Sequence, residues 1–344
     1  MAIVTLRLPE VKTIAEKRPQ DCPHCGCAVL QRWGQVNKAV IDPQIPEVLL
    51  YRYRCSGCGK TFRHYPQGIT RADQTDRMRF VCALMWKIGA SLRQTTGLLG
   101  IWQRPVCHMT VWRDLQWAAV RRPAKEKVRV AGLDGFYTRI KGQEKGLMVM
   151  LDMRDGQPVA LAEVVEENPE KVAAWLLPLA EQYGVEVIVT DDLTSYPVLA
   201  NELELKRQVC RFHALRWMMR MLKECETALG EPWQATIDEV RRILRSLPED
   251  GPHLLHLLWK RIVPPKGART PEGDALAKLR LLVLKMGENW SQYALFLTER
   301  DVPTTNNATE RAIGHWRNRS KTTRGFKSLH GLFAAFRVCN GMYA

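Results

Sequence analysis

The sequence predicts a multidomain α/β chain, in which a small cysteine-rich unit and a helical unit precede a mixed-sheet domain that a long helical stretch interrupts. Three observations predict it. Two Cys-x-x-Cys knuckles stand near the N-terminus, apolar residues between Asp73 and Ala119 recur at helical spacing, and from Val128 the pattern changes to strands alternating with helices. At 344 residues the chain has room for two or three units, each with its own core.

The knuckles read Cys22-Pro-His-Cys25-Gly and Cys55-Ser-Gly-Cys58-Gly, and the strand formers Val48, Leu49, Leu50, Tyr51 and Tyr53 lie between them. Each presents two thiolates on a tight turn that Gly26 and Gly59 relax. Four thiolates complete a tetrahedron with no open position, so residues 1–68 are expected to form a zinc ribbon around one structural zinc ion held by Cys22, Cys25, Cys55 and Cys58. Cys27 is an alternative to Cys25 as a ligand, and His24 is expected at the surface. Arg7, Glu10 and Lys12 break up any signal-peptide core, and no apolar run reaches the roughly 18 residues that span a bilayer. A cytoplasmic chain is therefore expected, with no membrane partner and no disulfide framework.

Residues 69–122 carry Met78, Val81, Cys82, Met85 and Ile88 at three- and four-residue spacing. Ser91 is placed to cap a short helix ending at Gly100, and a second helix should run from His108 to Val120. Helix, glycine-containing turn and polar second helix predict a helix-turn-helix, with Arg113 and Gln116 presented to base edges in the major groove. Pro123 and Lys125-Glu-Lys127 read as a linker.

Charge is distributed unevenly. Residues 1–130 carry 22 Lys+Arg against 9 Asp+Glu, residues 131–200 carry 5 against 12, and residues 201–344 carry 24 against 15. An acidic middle between basic lobes suits an enzyme whose carboxylates hold cations while its flanks hold a polyanion. Seven basic residues and no acidic one follow Glu310.

From Val128 a strand runs through Leu133-Asp134-Gly, and Gly146–Asp152 with Pro158–Val165 form a hairpin turned by Asp155-Gly156. Pro169–Tyr183 is helical with Val172, Leu176, Leu179 and Ala180 inward. Val185–Thr190 is a nearly continuous apolar strand of the buried parallel kind. A helix from about Tyr196 and a short strand at Gln208–Cys210 follow. This first part of the sheet domain spans 128–215, a helical insertion rich in Leu and Trp occupies 216–300, and a closing helix lies in 301–344.

Asp134 lies in the first strand, and Asp191 and Asp192 follow the buried strand, where open α/β sheets place ligands. Hard oxygen donors without neighbouring histidine or cysteine favour magnesium or manganese over zinc. The third acidic element is Pro303-Thr-Thr-Asn306-Asn307-Ala-Thr-Glu310-Arg311, continued by Arg317, Arg319, Lys321, Arg324, Gly325, Phe326 and Lys327. Thr305, Asn306 or Asn307 would cap this helix, with Glu310 facing the sheet.

This stretch closely resembles the catalytic helix of insertion-sequence DDE transposases. Leu133-Asp134-Gly resembles their first aspartate, Val189-Thr190-Asp191-Asp192 with Tyr196 their second, and Cys210-Arg-Phe-His213 their Cys-x-x-His signature. The resemblance covers residues 128–344. It implies a ribonuclease H-like catalytic domain in which Asp134, Asp191 and Glu310 hold two magnesium ions for cleavage at transposon ends and strand transfer into target DNA. It assigns Asp191 by strand register and leaves Asp192, Cys210 and His213 as supporting candidates. Arg311, Arg317, Arg319, Lys321, Arg324 and Lys327 become phosphate contacts. The resemblance also implies double-stranded DNA as partner, a homodimer or larger assembly on it, and a nucleoid-associated location. Trp233, Trp259 and Trp290 of the insertion are candidates for stacking on an unpaired base or for core packing. The alternatives are a DNA-binding regulator domesticated from a transposase, and a ribonuclease H-like nuclease that cuts without strand transfer.

Overall fold

The structure, a computed structural model, describes residues 8–121, 125–265, 270–299, 301–323 and 325–341. It divides into two units. One comprises the described residues of Met1–Pro123 and His315–Ala344, the other those of Ala124–Gly314.

In the first unit, β1 (Leu30–Ala39), β2 (Glu47–Cys55) and β3 (Thr61–His64) form an antiparallel sheet with β2 central. The sheet buries a different face at each end. Tyr53 and Cys55 pack with Cys22 and Leu30 at the knuckle end, and Val48 and Leu50 with Val40 and Ile69 at the other. Three helices follow: α1 (Asp76–Lys87), α2 (Leu92–Ile101) and α3 (His108–Val120). Thr75 caps α1 by accepting from the Met78 N–H. Ser91 caps α2 as expected, in a reciprocal box with Gln94 that satisfies two otherwise unpaired backbone donors.

The end of the chain departs from the expected boundaries. Helix α12 (Leu329–Gly341) sets Ala334, Ala335, Val338 and Cys339 against Ala83 and Trp86 of α1 and Leu115 and Ala119 of α3. Small residues on one face of α12 let it pack closely there, so residues from His315 onward belong with the N-terminal unit.

The second unit is a five-stranded mixed sheet joined to a helical block. Strands β4 (Val130–Ile140), β5 (Gln143–Asp152), β6 (Gln157–Ala162), β7 (Val187–Thr190) and β8 (Lys206–Val209) lie in the order β6-β5-β4-β7-β8. The β4–β5 and β5–β6 pairs are antiparallel, and β7 is parallel to both β4 and β8. Helix α4 (Pro169–Tyr183) begins with Asn168 accepting from the Lys171 N–H and Pro169 in the first turn. It ends at Gly184, whose φ of +64° is the left-handed conformation that glycine adopts without strain. Val172, Leu176 and Ala180 of α4, with Tyr196 and Leu199 of α5 (Ser195–Glu202), cover Ala131, Leu133, Met148, Met150 and Ile188 on one sheet face.

The opposite face carries Val130, Val187 and Val189, packed with Val302, and receives the start of α11 (Asn307–Thr322). Here Gly132 decides the geometry. A Cβ on Gly132 would collide with Thr309 Oγ1 and Met153 Sδ and stand 2.9 Å from Asn306 Oδ1, so the helix sits where a side chain would be. Asn306 is 2% exposed and donates through Nδ2 to the Leu133 carbonyl at 2.8 Å. The remaining helices, α6 (Arg211–Leu229), α7 (Gln234–Ser246), α8 (Gly251–Arg261), α9 (Pro271–Glu288) and α10 (Trp290–Thr298), share one apolar core. Trp233, Trp259 and Trp290 pack against that core.

Gly132→Ala is expected to destabilise the protein by about 1–3 kcal/mol through overpacking between β4 and α11. Urea denaturation checks this, and a loss under about 0.5 kcal/mol would show that the contact yields.

Candidate functional site

The pairing of β4 with β7 ends at Gly132↔Val189. Asp134 and Asp191 each lie two residues beyond that pair, at equivalent positions of neighbouring parallel strands. Side chains alternate along a strand, so Asp134 shares the face of Gly132, on which α11 rests. Asn306 accepts the first turn of α11, from the N–H groups of Thr309 and Glu310 at 3.0 and 3.2 Å, and Thr309 Oγ1 donates to Asn306 Oδ1 at 2.6 Å. Of the three residues expected to cap this helix, Asn306 does so. Glu310 therefore stands one turn into a helix bonded to the carbonyl that precedes Asp134.

The end of β7 is fixed by Arg207 of β8, which is 4% exposed. Its guanidinium donates to Thr190 Oγ1 at 2.9 Å, to the Asp191 carbonyl at 2.5 Å and to Gln292 Oε1 at 2.8 Å. Asp192 is occupied elsewhere. Lys285 Nζ lies 2.7 Å from its Oδ2, Tyr293 donates to the same oxygen at 3.1 Å, and Arg207 Nη2 stands 3.7 Å from Oδ1. Asp191 Oδ1 and Glu310 Oε1, in contrast, are buried with no hydrogen-bond partner. Unpaired buried carboxylate oxygens are costly, and a divalent cation is one partner that would complete them.

Burial and the neighbouring charges of Asp191, Glu166 and Glu310 push the Asp134 carboxyl up to about 8. The Asp191 carboxyl is also raised, by burial, against the opposing pull of His213 and Arg207. A cation bound there would therefore compete with a proton on Asp134. His213 Nδ1 is 3.6 Å from Glu310 Oε1, and Cys210, His213 and Glu310 have ligand atoms within 4.8 Å of one another. Cys210 Sγ accepts the Asn306 N–H at 3.3 Å, so the Cys-x-x-His segment buttresses the start of α11. Glu166 was missed from the sequence. It lies in a loop, and the only local sign of it is Gly135 beside Asp134, where a Cβ would meet the Glu166 side chain.

The basic candidates divide. Arg113, Arg311, Arg317, Lys321 and Lys327 are exposed. Arg324 lies outside the described residues. Arg319 corrects the expectation of a phosphate contact: it is 6% exposed, donates to the Trp86 and Ala90 carbonyls at 2.7 Å each, and stacks 4.3 Å from the centre of the Trp86 ring. Its guanidinium is used in packing. Gln116 is partly buried, and its amide nitrogen is buried without a hydrogen-bond partner.

At the knuckles, Cys22 and Cys58 Sγ are 3.8 Å apart and Cys25 and Cys55 Sγ 3.6 Å, all four within 4.8 Å. Tetrahedral Zn–S bonds of about 2.3 Å demand S···S separations of about 3.8 Å, so the four thiols fit a zinc ion. Cys25, not Cys27, completes the set. The backbone N–H of Cys58, with that of Gly57, helps bring the Cys55 thiol down to about 6. In Cys25 the Cys27 N–H favours the thiolate, yet hydrogen bonds with Cys58 and Cys55 push it up to about 12, as crowded thiols without a cation must behave. Dialysed protein should hold about one zinc per chain, and Cys55→Ser with Cys58→Ser should remove it. Elemental analysis checks this, and an unchanged zinc content in the double variant would contradict the assignment.

A family model described as Transposase IS66 family matches residues 148–333, more than half of the chain, including Asp191 and Glu310. The "Insertion element ISM1 uncharacterized 48.3 kDa protein" of Methanobrevibacter smithii is 26% identical over 217 residues, which are 59% of this chain and 53% of that protein. The chain thus spans about half the length of the curated relative it matches. Among solved structures, the Drosophila P element transposase strand transfer complex matches with a TM-score of 0.39 at 12% identity, over 80% of this chain and 94% of that chain. The family match runs from β5 through the helix carrying Glu310 into α12, and on it the chain belongs to the IS66 transposase family.

Proposed function

We propose that the protein is a DDE-type transposase that cleaves DNA at transposon ends and transfers the strands into target DNA, with Asp134, Asp191 and Glu310 as its catalytic carboxylates. One observation carries the reading. Asp134 and Asp191 each lie two residues beyond the last β4–β7 pair, at equivalent positions of neighbouring parallel strands, and the helix bearing Glu310 is bonded through Asn306 to the strand that carries Asp134. The sheet order β6-β5-β4-β7-β8, three antiparallel strands followed by two parallel ones, supports a ribonuclease H-like domain interrupted by the helical block α6–α10.

Asp134, Asp191 and Glu310 would hold two magnesium or manganese ions, which supply activation of a water or 3′-hydroxyl and stabilisation of the leaving oxygen. The chain's own groups do the rest. Arg207 and Asn306 hold the strand end and the helix start, which supports carboxylates arranged before substrate arrives. Asp134, whose carboxyl is raised by burial and by neighbouring carboxylates, would exchange a proton for the cation. Exposed Arg311, Arg317, Lys321 and Lys327 are assigned to DNA phosphates, and Arg113 to the end-recognising helix α3. The zinc-holding ribbon and helices α1–α3 serve binding of transposon ends. On this reading the partner is double-stranded DNA, handled by a dimer or larger assembly in the cytoplasm, at the nucleoid. Among the described residues no helix is long and apolar enough to cross a membrane.

Asp191→Asn and Glu310→Gln are expected to abolish strand transfer, by on the order of a thousandfold or more, while leaving DNA binding intact. Asp192→Asn should keep most of the activity and instead cost about 1–3 kcal/mol of stability, because it weakens the pairing with Lys285, Tyr293 and Arg207. A strand-transfer assay on purified variants, with urea denaturation alongside, checks both. The reverse ranking of Asp191 and Asp192 would move the catalytic assignment to Asp192.

A further inference from the structure

Glu163, Glu166, Glu167 and Glu170 crowd the connection from β6 into the first turn of α4, and they have different fates. Glu163 pairs with Lys145 at 2.7 Å, Glu167 accepts the Tyr137 hydroxyl at 2.7 Å, and Glu170 is exposed in the first turn of α4. Glu166 alone turns inward. Its Oε1 accepts the hydroxyl of Tyr196, a residue of α5 that is 1% exposed in the core beside the sheet. Its carboxylate lies over Gly135: a Cβ there would collide with Oε2 and stand 2.8 Å from both Cβ and Cδ of Glu166. The backbone N–H of Gly135 lies against the carboxylates of both Asp134 and Glu166, and the charge of Glu166 acts on Asp134 just as that of Asp191 acts on Glu166.

We propose that Glu166 is a fourth carboxylate of the cation site formed by Asp134, Asp191 and Glu310, and that Tyr196 is the residue that positions it; this rests on the reading of that site given above. A buried tyrosine aiming its hydroxyl at a carboxylate, and a glycine that leaves room for that carboxylate beside Asp134, are two separate provisions for one side chain. The arrangement also balances charge. Asp134, Asp191, Glu310 and Glu166 carry four negative charges when ionised, the number that two divalent cations neutralise, whereas the donors of nearby Arg207 are already taken by Thr190, Gln292 and the Asp191 carbonyl. Glu166 contributes to holding the cations, and Tyr196 acts only through Glu166.

The test is calorimetric titration of the zinc-loaded full-length protein with Mn²⁺, with thermal unfolding of the metal-free protein recorded for each variant. Glu166→Gln keeps an acceptor for the Tyr196 hydroxyl and removes only the charge. It should weaken Mn²⁺ binding at least about tenfold without lowering the unfolding midpoint. Tyr196→Phe should weaken binding less, and the double variant should bind no more weakly than Glu166→Gln alone, because both changes act on one carboxylate. Gly135→Ala, which displaces Glu166 without removing it, should weaken binding in the same direction. If Asp134→Asn loses Mn²⁺ while Glu166→Gln binds it as the wild type does, the fourth carboxylate is refuted and the three-carboxylate site stands. If neither variant changes binding, the site reading fails and this inference fails with it. A Tyr196→Phe loss that adds to that of Glu166→Gln would refute the positioning role.

Discussion

The close approach of α11 to β4 is the constraint on which the site depends. Two elements separated by more than 170 residues in sequence must meet with their backbones nearly in contact, and a side chain at position 132 would prevent it. Gly132 removes that obstacle, and Asn306 uses the space: its side chain bonds to the strand, its carbonyl accepts the first helical N–H groups, and its own N–H reaches Cys210. A helix anchored at its first turn by a buried asparagine has little freedom in how it presents the residue four positions on. That residue is Glu310.

Once the elements are seated, the electrostatics follow from burial. Carboxylates near one another in a poorly solvated place disfavour ionisation, and burial with the charges of Asp191, Glu166 and Glu310 raises the Asp134 carboxyl to about 8. Such crowding is destabilising unless it serves to bind something positive. Asp192, one residue from Asp191, shows the contrasting outcome, because Lys285, Tyr293 and Arg207 supply it with partners. Two adjacent aspartates thus divide the work, with one tying the strand end to the helical block and the other left unpaired.

Much of this was legible in the sequence because it is local. The knuckle spacing, the Ser91 capping box, the run Pro169–Tyr183 and the hairpin turned at Asp155-Gly156 all follow from residues within a few positions of one another. Asp134, Asp191 and Glu310 stand out in the sequence as candidates because a strand, the end of a buried strand and a capped helix start carry them. What escaped is long-range. Nothing near Glu166 separates it from Glu163 or Glu167, and only Tyr196 and Gly135, distant in sequence, single it out. Arg319 looks like its exposed basic neighbours in sequence, yet stacks on Trp86 more than 230 residues away. The packing of α12 with α1 and α3 is a tertiary choice of the same kind, since an apolar helix face does not name its partner.

The central claim is that Asp134, Asp191 and Glu310 form one cation site, and crystals of the zinc-loaded protein soaked in Mn²⁺ address it most directly. Anomalous difference maps should place manganese at about 2.0–2.3 Å from carboxylate oxygens of all three residues, with Asp191 Oδ1 and Glu310 Oε1 among the ligands. Manganese absent from that cluster at saturating concentration, or bound by Asp192 in place of Asp191, would contradict the account.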